Sequence, residues 1–148
     1  MVMASGLFGL TLRDQFDASQ IGVNLVGAGH RQQLVTDSYT PNFNTHDTET
    51  DITNEVTGTG YTAGGQAFSS PTLVVSGGVL TFDAADATWT TATISNIRGR
   101  VAYDDTPTSP VADPLTVATT FGADYSVTAG TFTITENASG IFTIDFTP

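Results

Sequence analysis

The stretch Thr131-Phe132-Thr133-Ile134-Thr135 has the strictest alternation of polar and apolar side chains in the chain. Because successive side chains of a strand point to opposite faces, this pattern predicts a strand that buries Phe132 and Ile134. The alternation returns from Ile141 to Phe146, beyond the turn-prone residues Glu136–Gly140. We therefore expect the two stretches to pair as a hairpin, with their apolar side chains in a common core.

Other segments of the chain also combine β-branched or alternating residues with turn residues at their ends. They are Ile21–Val26, Arg31–Thr36, Leu73–Val75, Val79–Asp83, Thr88–Ile97, Arg98–Tyr103 (interrupted by Gly99) and Leu115–Phe121. The turn Ser76-Gly77-Gly78 is typical of a tight hairpin, whereas the Pro- and Asp-rich residues 104–114 are typical of a loop. Thr is the most frequent residue, and it suits the half-exposed face of a sheet. The sequence therefore predicts a mainly β, single-domain antiparallel β-sandwich.

Two helical segments are expected. Residues 3–17 predict a short helix that Ser5 caps and in which Leu12 and Phe16 form an apolar pair one turn apart. A small helical turn is expected near residues 46–56, started by Thr45 or Asp47. We expect residues 1–30 to form an N-terminal helix or arm for assembly contacts and residues 31–148 to form the β-sandwich, within one compact domain overall.

Composition excludes several classes of function. The 148 residues include 15 acidic and four basic ones, all four of them Arg, which gives a net charge of −11. Nucleic-acid binding and binding to an anionic membrane both need clustered basic residues, so we expect neither. The chain has no Cys and two His, which excludes thiolate metal sites and multi-histidine sites. No basic residues precede the apolar N-terminal stretch, so no secretory signal is expected.

The acidic residues near His46 form the most site-like cluster. Asp47, Glu49 and Asp51 follow that histidine, and an oxygen-rich cluster of this kind can hold Ca²⁺. The spacing is not that of an EF-hand. The preferred interpretation is a helix start, where acidic side chains favour the positive end of the helix.

Asp83, Asp86 and Trp89 allow a second interpretation. Two carboxylates beside an aromatic ring can bind or cleave sugars. However, the two acids lie in the segment Asp83-Ala84-Ala85-Asp86, where Asp is favoured because its side chain hydrogen-bonds turn backbone. No nucleophile motif, phosphate-binding loop or dinucleotide fingerprint is present. We therefore predict no enzyme activity, no catalytic, cofactor-binding or metal-binding residues, and no cofactor.

Arg98 and Arg100 alternate along a predicted strand. Two arginines are too small a basic patch to hold a nucleic acid. We expect them to pair with acids of a neighbouring subunit.

Several motifs resemble a family of small structural proteins of tailed bacteriophages, over about residues 34 to 146. They are Leu34-Val35-Thr36, Tyr39-Thr40-Pro41-Asn42, Thr45-His46-Asp47, Asp51–Gly65, Leu80–Trp89, Ala102–Thr106, Gly130–Ile134 and Ala138–Phe142. Within Asp51–Gly65, the long stretch from Asn54 to Gly65 is specific. The chain is longer than the family pattern at Asp17–Arg31, which suggests a contact peculiar to this protein.

The resemblance implies a virion component without catalytic residues. A capsid decoration or minor capsid protein that binds and stabilises the outer head shell is the favoured expectation, since an acidic, Thr-rich domain suits the outside of a capsid. Its expected partners are the major capsid protein or other virion subunits and further copies of itself, with a trimer favoured. The expected location is the virion, after synthesis in the host cytoplasm.

The alternative is a tail-tip or tail-fibre component that contacts the host surface. In that case Tyr39, Phe43, Tyr61, Trp89 and the Gly-rich loop would form a recognition face, because aromatic residues are enriched at interfaces.

Overall fold

A computed structural model describes residues 3–17 and 21–147 of the chain. It confirms the mainly β prediction: two antiparallel sheets pack together, and the described residues add one α-helix and one 3-10 turn. The elements are β1 (Gly6–Leu7), α1 (Gly9–Phe16), β2 (His30–Val35), the 3-10 turn (Glu49–Asp51), β3 (Gly58–Thr59), β4 (Gln66–Ala67), β5 (Thr72–Ser76), β6 (Val79–Asp83), β7 (Ala87–Asp104), β8 (Leu115–Ile134) and β9 (Phe142–Asp145).

The larger sheet has the strand order β1-β8-β7-β2-β4, with β3 added to β7. The smaller sheet has the order β5-β6-β9. Phe82 of β6 is fully buried and packs with Ala102 of β7 and Val117 of β8, so it joins the two sheets. The predicted hairpin turn is confirmed, because Ser76 pairs with Val79 across Gly77 and Gly78.

The long β7–β8 ribbon folds back on itself. The rings of Phe121 and Phe132, both on β8, lie 6.4 Å apart, whereas a straight strand would separate them by roughly 35 Å. The bend follows from irregular pairing: the register shifts between Ile97↔Tyr125 and Gly99↔Thr120 leave extra residues in β8. The two strands expected at Leu115–Phe121 and Thr131–Thr135 are therefore parts of one bent strand.

The hairpin expected between the two most strictly alternating stretches is not formed. Residues 132–134 pair with Ala87–Trp89 of β7, and β9 pairs with β6 instead. Phe142 packs on Phe82 as expected for a core residue, but Phe146 is 60% exposed. Alternation fixes which face a side chain occupies and leaves the partner strand open, so the local pattern favoured the nearest neighbour in sequence.

The described part of the N-terminal segment packs onto the larger sheet. Met3 and Phe8 belong to the same buried cluster as Tyr39 and Leu115, so these residues form core and not a free arm. Helix α1 begins after Phe8, and the expected cap, Ser5, instead accepts a hydrogen bond from the backbone N–H of Thr120 (2.9 Å).

Other expectations for residues 1–30 are also corrected. Phe16 is 89% exposed and does not belong to the buried face. Residues 21–26 form no strand: 21–24 are irregular and 25–26 lie in a turn, and the N–H groups of Asn24 and Val26 bond to the side chains of Asp104 and Asn24. A role of this segment in assembly stays a prediction, and residues 1–2, 18–20 and 148 lie outside the described residues.

Among residues 3–17 and 21–147, no helix has the length and apolarity that crossing a membrane requires.

Candidate interaction surface

The acidic loop forms a capped helical turn, which agrees with the interpretation of these acids as a helix start. Thr48, and neither Thr45 nor Asp47, is the N-cap. Asp51 Oδ2 accepts hydrogen bonds from the backbone N–H groups of Asp47 (2.8 Å) and Thr48 (3.1 Å), and the first of these bonds lowers the pKa of Asp51. Glu49 accepts a hydrogen bond from the Gln33 side chain (2.5 Å). The described part of the chain contains no group of three or more His, Asp or Glu that could hold a metal ion.

The two acids considered for sugar cleavage also have structural partners. Asp83 accepts a hydrogen bond from the backbone N–H of Ala84 (2.9 Å), and Asp86 accepts one from the backbone N–H of Glu136 (2.9 Å). Trp89 is buried and packs against Tyr61 and Phe132. The carboxylates therefore order the ends of β6, β7 and β8, and Trp89 offers no open platform to a sugar.

The recognition face expected for a tail-tip protein is not formed. Tyr39 and Trp89 are buried, while Phe43 and Tyr61 are half-buried against the two largest core clusters. The Tyr61 hydroxyl donates to Glu55 (2.6 Å) and accepts from the backbone N–H of Leu34 (3.0 Å), so it ties the Gly-rich loop to β2. Burial, followed by the bond to Glu55, raises the pKa of Tyr61. These rings hold the loop in place.

Both strand arginines have partners within the chain, so the expected pairing with a neighbouring subunit is wrong. Arg98 pairs with Asp124 (2.6 Å) and donates to the carbonyl of Gly122 (3.2 Å), which secures the bend of β8. Arg100 is fully buried and forms a two-pronged ion pair with Glu136. Arg98 and Arg100 therefore lie in different environments, although their alternation along the strand suggested one shared face.

The buried arginine is held from several directions. Its Nη2 donates to Glu136 Oε2 (2.7 Å), and its Nη1 donates to Gln32 Oε1 (2.9 Å). The guanidinium carbon lies 5.5 Å from the centre of the Phe68 ring. Among the described residues, Arg100 Nε and Gln32 Nε2 have no hydrogen-bond partner. Glu136 neutralises the charge of Arg100, but these two buried donors are unpaired within the described part of the chain.

A row of four adjacent pockets, which we call the furrow, begins inside the bend of β8 and passes this ion pair. One section, about 360 Å³, is lined by the three rings Phe121, Tyr125 and Phe132 and by residues 133–135. The next section, about 170 Å³, shares Phe121 with the first and is walled by Arg100 and Glu136. Tyr125 is 48% exposed at the open end.

The furrow continues along the junction of the two sheets. A third section of about 240 Å³ lies between the β1–β8 pair and β9 and shares Thr119 and Ile141 with the second. A fourth, of about 250 Å³, shares Leu7 and Phe142 with the third and reaches Leu12 of α1. Within the described residues, β1 covers β8 at Val117 and Ala118, and no strand continues that cover along the rest of β8.

Chemically, this furrow suits an extended polypeptide. An open strand edge offers backbone donors and acceptors, and apolar pockets beside it take alternate side chains. Because Glu136 neutralises Arg100, the section between the pockets favours an uncharged segment. This surface could not be predicted from the sequence, because no motif marks Glu136. Arg100 comes to line the same section as Phe121 and Thr135 only through the bend of the ribbon.

Comparison with protein-family models, with curated proteins and with solved structures finds no match to this chain.

Proposed function

We propose that this chain is a non-enzymatic structural protein of a tailed-bacteriophage particle that decorates the outer head shell. The observation that carries the proposal is the furrow. It is long, mainly apolar, bordered by an unpaired strand edge and electrically neutral at its one ion pair. In this proposal it binds an extended, uncharged segment of the major capsid protein.

Two further observations support a structural role. The carboxylates considered for catalysis, Asp83 and Asp86, each bond to backbone that they order. In addition, the sequence motifs of residues 34–146 resemble small phage structural proteins, with the specific stretch Asn54–Gly65 in the loop that Tyr61 fixes to β2. A location on the outer face of the head is consistent with the net charge of −11, which disfavours contact with packaged DNA.

Fewer observations support the tail-tip alternative. Its recognition face required open aromatic rings at Tyr39 and Trp89, and both are buried.

Immunogold electron microscopy of intact particles, with antibody against this chain, tests the location. We expect dense label over the head. Label confined to the tail would overturn the decoration role, and particles without label in which mass spectrometry also detects no copies would overturn the virion role.

The furrow is tested by adding purified protein to shells that lack it and measuring bound copies after sedimentation. We expect Tyr125→Glu to weaken binding at least about tenfold, because it brings a charge into the apolar mouth. Thr128→Glu is the matched control: it adds the same charge at an exposed position of the same strand outside the furrow lining and should bind as the original protein does. Equal binding by both variants would exclude the furrow as the contact.

A further inference from the structure

Strand β5 presents an open, uncharged edge. It pairs with β6 on one side, and no described residue pairs with its other side. All five of its residues are exposed, including the consecutive apolar side chains Leu73 (41%), Val74 (55%) and Val75 (64%). Proteins usually protect such an edge with Lys, Pro or a bulge, because it can pair with another strand. None of these lies within β5, so the strand itself has none of these protections.

The distribution of charge points to a second copy as the occupant. The chain carries a net charge of −11, and copies of it repel one another. No charged residue or histidine occurs from Val56 to Phe82, a stretch that includes the whole of β5. Two copies that meet along β5 therefore bring no charged residue of this strand against another, and β5 itself offers a basic partner no acid to bind.

The backbone geometry also fits self-pairing. Gly77 and Gly78 both have positive φ (59° and 82°), as in a two-residue hairpin turn. The residues that flank such a turn exchange both backbone hydrogen bonds, so the alternation along β5 directs the N–H and C=O groups of Leu73 and Val75 away from β6.

We propose that two copies of this chain pair through β5 in antiparallel orientation, about a two-fold axis at Val74. This axis places Leu73 opposite Val75 of the second copy, and each such pair exchanges both of its outward hydrogen bonds. Val74 then faces Val74 of the second copy at a position without hydrogen bonds, where side chains are closest. Pro71, which has no N–H, and the glycine turn set the two ends of the pairing.

The resulting contact is isologous, so it closes as a dimer and does not extend into a chain of subunits. The contact leaves the furrow mouth at Tyr125 free, although Leu73 also lines the fourth section of the furrow. It goes beyond the proposed attachment to a shell. The sequence-based expectation of a trimer stays a prediction, and the geometry of this edge favours a two-fold contact in its place.

Two variants that place opposite charges at Val74 test the proposal on the isolated full-length chain. Sedimentation equilibrium should show a monomer–dimer equilibrium for the original protein. Val74→Lys alone and Val74→Glu alone should each raise the dimer Kd at least about tenfold, since like charges directly opposite each other are unfavourable. A mixture of the two variants should regain dimers, because Lys then faces Glu. Thr128→Lys, an exposed change of the same charge on β8, should leave the Kd unchanged.

Several results would overturn the proposal. They are an original protein that stays monomeric throughout the concentration range, a dimer or trimer that Val74→Lys does not weaken, and a mixture of the variants that fails to dimerise. Circular dichroism of each variant excludes misfolding as the cause. Because the measurement uses this chain alone, its outcome does not depend on whether the chain decorates a shell.

Discussion

At the scale of single residues, the free energy of unfolding depends on the buried ion pair Arg100–Glu136. The side chains of both residues are almost fully buried, at 2% and 7% exposed. Removing one partner of a buried pair leaves an uncompensated charge, which costs far more than the pair itself contributes.

We therefore expect Glu136→Ala to lower the free energy of unfolding by about 3–5 kcal/mol. Urea unfolding followed by the fluorescence of Trp89 measures it. The control is Asp124→Ala, which breaks the more exposed pair with Arg98 and should cost less than about 1 kcal/mol. Equal small losses in the two variants would mean that water or another side chain solvates Arg100.

His30 predicts how stability depends on pH. Burial lowers its pKa from 6.5 to about 4, and the ring is held neutral between the carbonyl of Leu25 (2.9 Å) and the hydroxyl of Thr116 (2.9 Å). The unfolded chain binds the proton more readily, so the stability that His30 contributes is present above pH 6.5 and is lost as the pH falls through about 4. The loss should approach about 3 kcal/mol.

Urea unfolding between pH 7 and pH 4 measures this loss. Carboxyl groups titrate in the same range, so the comparison is with His30→Gln, which should show a flatter dependence on pH. An unchanged slope in His30→Gln would contradict the assignment.

At the scale of elements, the loop between β3 and β4 depends on one close backbone approach. Gly65 has φ +67°, and a Cβ there would lie 1.8 Å from the carbonyl oxygen of Gln32. Gly77 has a similar φ of +59°, but nothing lies within 4 Å of its Cβ position.

We expect Gly77→Ala to cost about 1 kcal/mol, from the left-handed conformation alone. Gly65→Ala should cost about 3 kcal/mol or more, since the clash with β2 is added to the same backbone strain. Thermal or urea unfolding distinguishes the two. Similar costs would mean that the loop moves away from β2 without penalty.

Element types followed from the sequence better than their partners did. The alternation over residues 79–83 and the glycine turn before it depend on adjacent residues, and the structure has that hairpin. The partner of residues 131–134 depends on a bend that Arg98 and Asp124 secure from elsewhere in the chain. Local periodicity contains no information on that bend.

At the scale of the whole molecule, net charge controls association. Copies that each carry −11 repel one another, and salt screens this repulsion within about 10 Å at 0.1 M. Because the β5 edge has no ion pair to lose, we expect the β5 dimer to tighten as NaCl is raised. Sedimentation equilibrium at low and high salt measures this change, and weaker association at high salt would show that opposite charges meet in the contact.

Three features follow from the amino-acid sequence alone: the mainly β architecture, the hairpin turn at Gly77-Gly78 and the absence of cysteine chemistry. These are properties of composition or of neighbouring residues, and they hold whichever strands later meet. Tertiary structure alone decided that Arg100 pairs with Glu136, that Tyr39 and Trp89 are buried, and that a furrow runs beside β8. Each of these depends on segments distant in the chain coming together, and side-chain alternation specifies a face without specifying what packs against it.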